Sequence, residues 1–304
     1  MFNYTLDNKR YHTLNYFYRN KFKSKVFKIS LNANFSCPNF KNGQGCIFCK
    51  GGSGNGYSNL SLDEQFDIIR EKGEKKWPGA KYIAYFQANS NTYAPLTVLK
   101  NKFESMLKKP NVIGLAIATR SDCLSEEILD YLSDLNNRTF LSVEIGLQSM
   151  HNETLQFINR GHDLKNFEKA IQNLKKRGIF TVVHIINGLP NETKDMMLKT
   201  VKYLNSLGID GIKIHMLYIN KDTALEKIYK TNPFHILTKE EYIDIVCEQL
   251  EYLDKKIVIE RITGDPEKNE VITPTWLLKK FCVLNDIDKE MKKREIYQGD
   301  QINH

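Results

Sequence analysis

The chain has 304 residues, 41% of them hydrophobic, enough for one large buried core, and none of its apolar runs approaches the ~20 residues a membrane span requires. Its 44 basic residues against 36 acidic ones give a formal charge of +8, and its 6 cysteines are too scattered to read as a disulfide framework. That usage, with no apolar leader near the start, predicts a reducing, cytoplasmic setting.

Residues 1–28 hold Lys9, Arg10, Arg19, Lys21, Lys23, Lys25 and Lys28 against Asp7 alone, with Tyr4, Tyr11, Tyr16, Phe17, Tyr18 and Phe22 among them. Basic groups draw in phosphates and aromatic faces stack on unpaired bases. An RNA-contacting arm over 1–25 is one reading. A solvated basic arm whose rings anchor it on the core is the other.

From residue 26 onward, apolar runs alternate with helix-spaced stretches. Strands are predicted over 26–31, 82–86, 112–117, 140–145, 180–186 and 212–217. Helices are predicted over 61–76, 96–108, 125–135, 151–158, 164–177 and 193–206. Buried apolar strands joined by helices of this length form a parallel sheet with crossover connections. Such a sheet carries its chemistry at the C-terminal strand ends, and the unusual polar residues cluster there. Three cysteines follow strand one, and Gln87, Asn89 and Ser90 follow strand two, with Tyr93 just beyond. Arg120 and Asp122 follow strand three, and Glu144 and Gln148 bracket the end of strand four. His184 and Asn187 stand at strand five, Lys213 and His215 on strand six. Beyond 220 the order changes: helices near 223–230 and 239–254, a short strand over 257–262, and a last helical stretch over 274–293. This region 221–304 either completes the barrel wall or caps the substrate side.

The cysteine loop runs Phe35-Ser-Cys-Pro-Asn-Phe-Lys-Asn-Gly-Gln-Gly-Cys-Ile-Phe-Cys49. Three thiolates on one loop can hold an iron–sulfur cluster and leave one iron free of protein ligands. A lone CxxC also fits half a zinc site or a dithiol pair. Cys123, Cys247 and Cys282 form no second CxxC, and Cys123 reads as a buried thiol at a helix start. Gly51 to Gly56 reads as a flexible turn, since no helix opens there and no P-loop lysine follows.

Taken in order, several segments resemble the YhcC/YtqA-type family of radical S-adenosylmethionine (SAM) enzymes, related to the Elongator catalytic subunit. They are Cys37-Pro-Asn with Gly45-Cys-Ile-Phe-Cys49, Tyr85 to Pro95, Ala118 to Leu124, Glu144 to Ser149, Ile158 to Asp163 and Gly188 to Thr193. Arg261 to Asp265, Pro274-Thr-Trp276 and Gln298-Gly299 resemble the family's C-terminal signature. The spacing C-x8-C-x2-C departs from the commoner C-x3-C-x2-C, and Phe40-Lys41 stand where the family often has Arg-Asp.

The resemblance implies a partial (β/α)6 TIM-like radical SAM barrel over 26–220 with a C-terminal α/β extension. It implies Cys37, Cys46 and Cys49 as ligands of a [4Fe–4S] cluster whose fourth iron takes the amino and carboxylate groups of SAM. Gln87, Asn89, Ser90, Glu144, Gln148, Arg160, His184 and Asn187 would contact that cofactor. Tyr93, Arg120, Asp122, Lys213 and His215 would face the substrate. Reductive cleavage to a 5′-deoxyadenosyl radical, with an electron donor such as flavodoxin or ferredoxin, would serve modification of a tRNA wobble uridine side chain. The alternatives are a radical enzyme for a small molecule and a zinc-stabilised RNA-binding module without catalysis.

Overall fold

The computed structural model describes residues 2–41, 43, 45–51 and 56–302; the predicted turn at Gly52 to Asn55 lies outside them. In chain order the elements are α1 (Leu14–Phe22), β1 (Val26–Leu31), α2 (Pro38–Lys41), α3 (Leu62–Lys76), β2 (Lys81–Phe86), α4 (Leu96–Leu107) and β3 (Val112–Thr119). There follow α5 (Glu126–Arg138), β4 (Phe140–Gln148), α6 (Asn152–Phe157), α7 (Leu164–Lys176), β5 (Phe180–Asn187), α8 (Lys194–Ser206) and β6 (Gly211–Met216). The last are β7 (Ile219–Asn220), α9 (Ala224–Thr231), α10 (Lys239–Tyr252), β8 (Val258–Arg261), β9 (Val271–Thr273) and α11 (Lys280–Lys293).

Seven strands form one parallel sheet in the order β1-β2-β3-β4-β5-β6-β8, curled into an open barrel. The C-terminal region therefore does not stand apart: β8 pairs with β6 and continues the wall, while β7 and β9 make a separate antiparallel pair. Alternation sorts the side chains. On β4, Leu141, Val143, Ile145 and Leu147 pack outward beneath the helices, while Glu144 and Gly146 turn inward to the cavity. The helices cover the outer face with apolar stripes, as on α7, where Phe167, Ala170, Ile171 and Leu174 are buried at helical spacing. Side chains cap the starts of α3, α5, α7 and α8, with a full capping box at Ser61 and Glu64 on α3. No helix among the described residues is long and apolar enough to cross a membrane.

The N-terminal arm is structural. Thr13 caps α1, and apolar residues spaced as Leu14, Phe17, Tyr18 and Phe22 pack with Ile83, Tyr85 and Phe140. Phe17 stacks on Phe180 with ring centroids 4.9 Å apart, and Phe22 meets Phe140 at 5.4 Å. Since Phe140 and Phe180 begin β4 and β5, α1 plugs the N-terminal end of the barrel. A bridge between Thr13 and Ile259 ties it to β8, and the Gln298 side chain accepts from the His12 amide at 2.7 Å. Three of the aromatic rings expected as a stacking surface for bases, Phe17, Tyr18 and Phe22, are thus packed against the barrel floor, while the charges among them are exposed at Arg19, Lys21 and Lys23.

This packing predicts a contrast within α1. Tyr18→Ala, at a side chain 3% exposed, should lower stability by about 3 kcal/mol. Arg19→Gln should change it by less than about 0.5 kcal/mol. Urea unfolding midpoints check both.

Candidate active site

At the C-terminal end of the strands a cavity of about 270 Å³ opens, lined by Cys37, Cys46 and Cys49 together with residues from the barrel wall. The cysteine loop is clamped to the segment after α6. Asn39 Nδ2 donates to the Asn159 carbonyl at 2.6 Å, Asn159 Nδ2 donates to the Gly45 carbonyl at 2.6 Å, and the Ile47 amide donates to the Ile158 carbonyl at 3.1 Å. Two donors point at one sulfur: Asn39 Nδ2 lies 3.5 Å and Arg160 Nη1 3.7 Å from Cys46 Sγ.

Arg160 is held by its own contacts, donating from Nη2 to the Gly146 carbonyl at 2.7 Å, while its buried Nε has no partner. A side chain at Gly146 would displace the Gln148 and Arg160 head groups, since a Cβ would stand 2.6 Å from Gln148 Nε2 and 2.8 Å from Arg160 Nη2. Asn89 and Gln148, both on the cavity wall, adopt left-handed φ of 60° and 74°. Gln148 does so where the β4–β5 register slips. Non-glycine residues in that region mark a backbone bent to aim a side chain.

Deeper in, the walls carry a buried ionic cluster centred on Glu144, whose side chain is fully buried. It accepts from Lys28 Nζ at 2.8 Å, Lys213 Nζ at 2.5 Å, Tyr85 OH at 2.8 Å and His184 Nε2 at 2.7 Å. Lys28 also meets Glu260 at 2.5 Å, bridging the two edge strands β1 and β8. Burial by itself would raise the Glu144 pKa, but Lys213 and Lys28 override it and hold the carboxylate well below its usual range. Burial lowers Lys213 to about 8, because the raising effect of Glu144 is offset by Lys28. Burial also depresses both His184 and His215, the latter further through His184, so both rings are neutral at neutral pH. Burial pushes the Cys123 thiol up to about 12, leaving it an inert packed group.

The predicted residues divide accordingly. Gln87, Asn89, Arg120, Glu144, Gln148, Arg160, His184, Lys213 and His215 all line the cavity with the three cysteines. Four others do not. Asn187 points out of the barrel and exchanges amide hydrogen bonds of 2.7 and 2.9 Å with Gln249 of α10, because it is three residues from inward-facing His184 on an alternating strand. Ser90 is buried against Thr119 at 3.0 Å, Asp122 is taken up bidentately by Arg120 at 2.8 and 2.6 Å, and Tyr93 lies outside under Lys41. Sequence reasoning assigned no role to Lys28, Tyr85, Glu260 or Arg261. Charged residues inside otherwise apolar strand runs were the available signal.

A cysteine loop at the C-terminal rim of an open parallel barrel defines the class: a barrel protein whose chemistry sits at the strand ends. Residues 37–204 match the model of the Radical SAM superfamily and residues 209–293 that of the Radical_SAM C-terminal domain. The chain belongs to the Radical SAM superfamily. It is 45% identical to YtqA of Bacillus subtilis over 98% of this chain and 94% of that protein. A tRNA uridine(34) acetyltransferase of Methanocaldococcus infernus is 29% identical over 52% of this chain, which spans 29% of that longer protein. The fold matches the solved structure of the archaeal Methanocaldococcus infernus Elp3 with a TM-score of 0.70 at 19% identity, covering 90% of this chain and 64% of that one.

The superfamily implies a [4Fe–4S] cluster and SAM, and the donor set fits them. All three loop cysteines line one cavity. Among the described residues they are not gathered as three ligands of a single ion are, and thiolates that each hold a different iron stand farther apart. The Gln87, Asn89, Gln148 and Arg160 side chains supply the polar wall a zwitterionic cofactor needs.

Two outcomes follow from the Glu144 cluster. The Lys213 Nζ resonance should titrate near 8, against 10.5 for an ordinary lysine, and lower still in Glu144→Gln, as ¹⁵N NMR of labelled lysine would read. Between those two values the unfolded lysine keeps a proton that the folded one has lost, so this site's contribution to stability rises with pH across that window. Glu144→Gln itself should cost about 3 kcal/mol, because it leaves Lys213 buried without its close carboxylate.

Proposed function

We propose that this protein binds a [4Fe–4S] cluster through Cys37, Cys46 and Cys49 and uses it to cleave SAM reductively, for modification of a tRNA wobble uridine side chain. The observation that carries the radical reading is the convergence of the three cysteines with Gln87, Asn89, Gln148 and Arg160 on one cavity. When bound, that cofactor pair would supply a 5′-deoxyadenosyl radical for hydrogen abstraction. The protein's part is positional. Asn39 and Arg160 direct N–H groups at the Cys46 sulfur and hold it in place. Gln87, Asn89, Gln148 and Arg160 orient the cofactor's polar groups. The barrel wall around the cavity would shield a reactive centre from bulk water. His184 and Tyr85, both fixed on Glu144, hold their hydrogens directed at the carboxylate. An electron donor such as flavodoxin or ferredoxin would supply the reducing electron.

The tRNA substrate is supported by the likeness to a tRNA uridine(34) acetyltransferase. A small-molecule substrate is the second reading, favoured by the packing of the arm's aromatic rings into the barrel floor. Salt-dependent tRNA binding distinguishes them. Neutralising Lys21, Lys23 and Lys25 should weaken it and flatten its salt slope by about three if each contacts a phosphate; unchanged binding would favour the small molecule.

Anaerobic reconstitution with iron and sulfide, then reduction with SAM, should give 5′-deoxyadenosine from the wild type. Cys46→Ala should give at least ~100-fold less, since one iron loses its protein ligand. Zinc without labile sulfide would sink the radical reading.

A further inference from the structure

Four cationic side chains line the main cavity: Arg120, Arg160, Lys213 and Arg261. Three are engaged. Arg120 grips Asp122, Arg160 is bonded to the Gly146 carbonyl, and Lys213 is paired with Glu144. Arg261 is different. Its backbone pairs in the sheet opposite Lys213, but among the described residues its side chain makes no hydrogen bond, ion pair or ring contact.

The backbone explains why it faces inward. Along β6 and β8, Ile212 pairs with Ile259 and Lys213 pairs with Arg261, so Glu260 is skipped. Strict alternation would send one of two neighbouring side chains outward; an irregularity of this kind lets both turn to the interior. Glu260 is already taken by Lys28 at 2.5 Å, with Lys213 at 3.6 Å. Tyr85, Lys213, His215 and Tyr218 lie close enough to feel the Arg261 charge, and no carboxylate among the described residues forms an ion pair with its guanidinium.

Its place is equally informative. A second hollow of about 320 Å³, between α1 and the edge strands β1 and β8, shares Tyr85, Lys213 and Arg261 with the main cavity. The free guanidinium stands at the junction. A half-buried cation without a counter-charge is poorly solvated, and a planar fork of N–H donors matches an oxyanion with two parallel charge-assisted bonds.

We propose that Arg261 anchors an oxyanion of the substrate, a carboxylate or a phosphate, where the two cavities meet. This deepens the radical-enzyme reading and rests on it, since it assigns the chemical class of one substrate group. Arg261 is thereby a binding residue that holds the substrate for the radical.

The test titrates the full chain, as purified and without added cluster, with acetate and separately with inorganic phosphate. The readout is the arginine Nε resonances of ¹⁵N-labelled protein, with Arg261→Gln identifying the Arg261 signal. At least one anion should shift that signal saturably. Affinity for that anion, followed at neighbouring backbone amides, should fall about tenfold or more in Arg261→Gln, the loss of one charge-assisted contact. Arg261→Lys should recover only part of it. A response to acetate alone assigns a carboxylate, to phosphate alone a phosphate. The thermal midpoint should not move, because the Arg261 side chain bonds to none of the described residues and Gln leaves the backbone pairing intact. No saturable shift with either anion, or equal affinity in Arg261→Gln, would overturn the proposal. So would Arg261→Gln weakening SAM binding to the reconstituted protein, which would make Arg261 a cofactor residue. The titration needs no cluster, so failure to form 5′-deoxyadenosine would count against the radical reading while leaving anion binding to be judged separately.

Discussion

A carboxylate with no water around it must be surrounded by donors, and Glu144 sets that condition for the whole barrel interior. Its two oxygens receive Lys28 from β1, Tyr85 from β2, His184 from β5 and Lys213 from β6. The attraction of an isolated buried pair seldom exceeds the cost of drying both ions. Here the remaining lone pairs are filled as well, and a second carboxylate, Glu260, balances the second lysine. The barrel is open between β1 and β8, whose backbones do not pair, and Lys28 spans that gap with one ammonium between Glu144 and Glu260. Side chains close what the backbone leaves open.

The cavity rests on this arrangement. Below it, α1 plugs the barrel floor with aromatic rings. Above it, the cysteine loop is clamped against residues 158–160 through Asn39, Asn159 and Ile47. Glycine at 146 and left-handed backbone at Asn89 and Gln148 bring polar groups close around the opening. The interior thus has a rigid, charge-balanced base and a rim of sulfur and amide donors, with Arg261 as the one unengaged cation on the wall among the described residues.

The strands were legible because a buried parallel sheet writes its strands as apolar runs, and all seven of its members start within about one residue of expectation. Glu144, His184 and Lys213 were legible for the same reason: charge is conspicuous in such a run. Their pairing was not. Lys28 and Glu144 are separated by 116 residues and Lys28 and Glu260 by 232, and only closure of the barrel joins them. Lys28 reads as one more charge in a basic arm, and Arg261 carries no signal of its inward turn because the β6–β8 irregularity is a property of pairing. Asn187 shows the converse error: it is near the right strand end but of the wrong parity. The arm's helix was written in the spacing of Leu14, Phe17, Tyr18 and Phe22, and the density of charge around them obscured it.

The decisive measurement is electron paramagnetic resonance of the anaerobically reconstituted, reduced protein with and without SAM. A three-cysteine site with one open iron gives a reduced-cluster spectrum that changes when SAM is added, with four irons and four sulfides bound per chain. A cluster whose spectrum SAM leaves unchanged, or a protein that takes up zinc in its place, would contradict it.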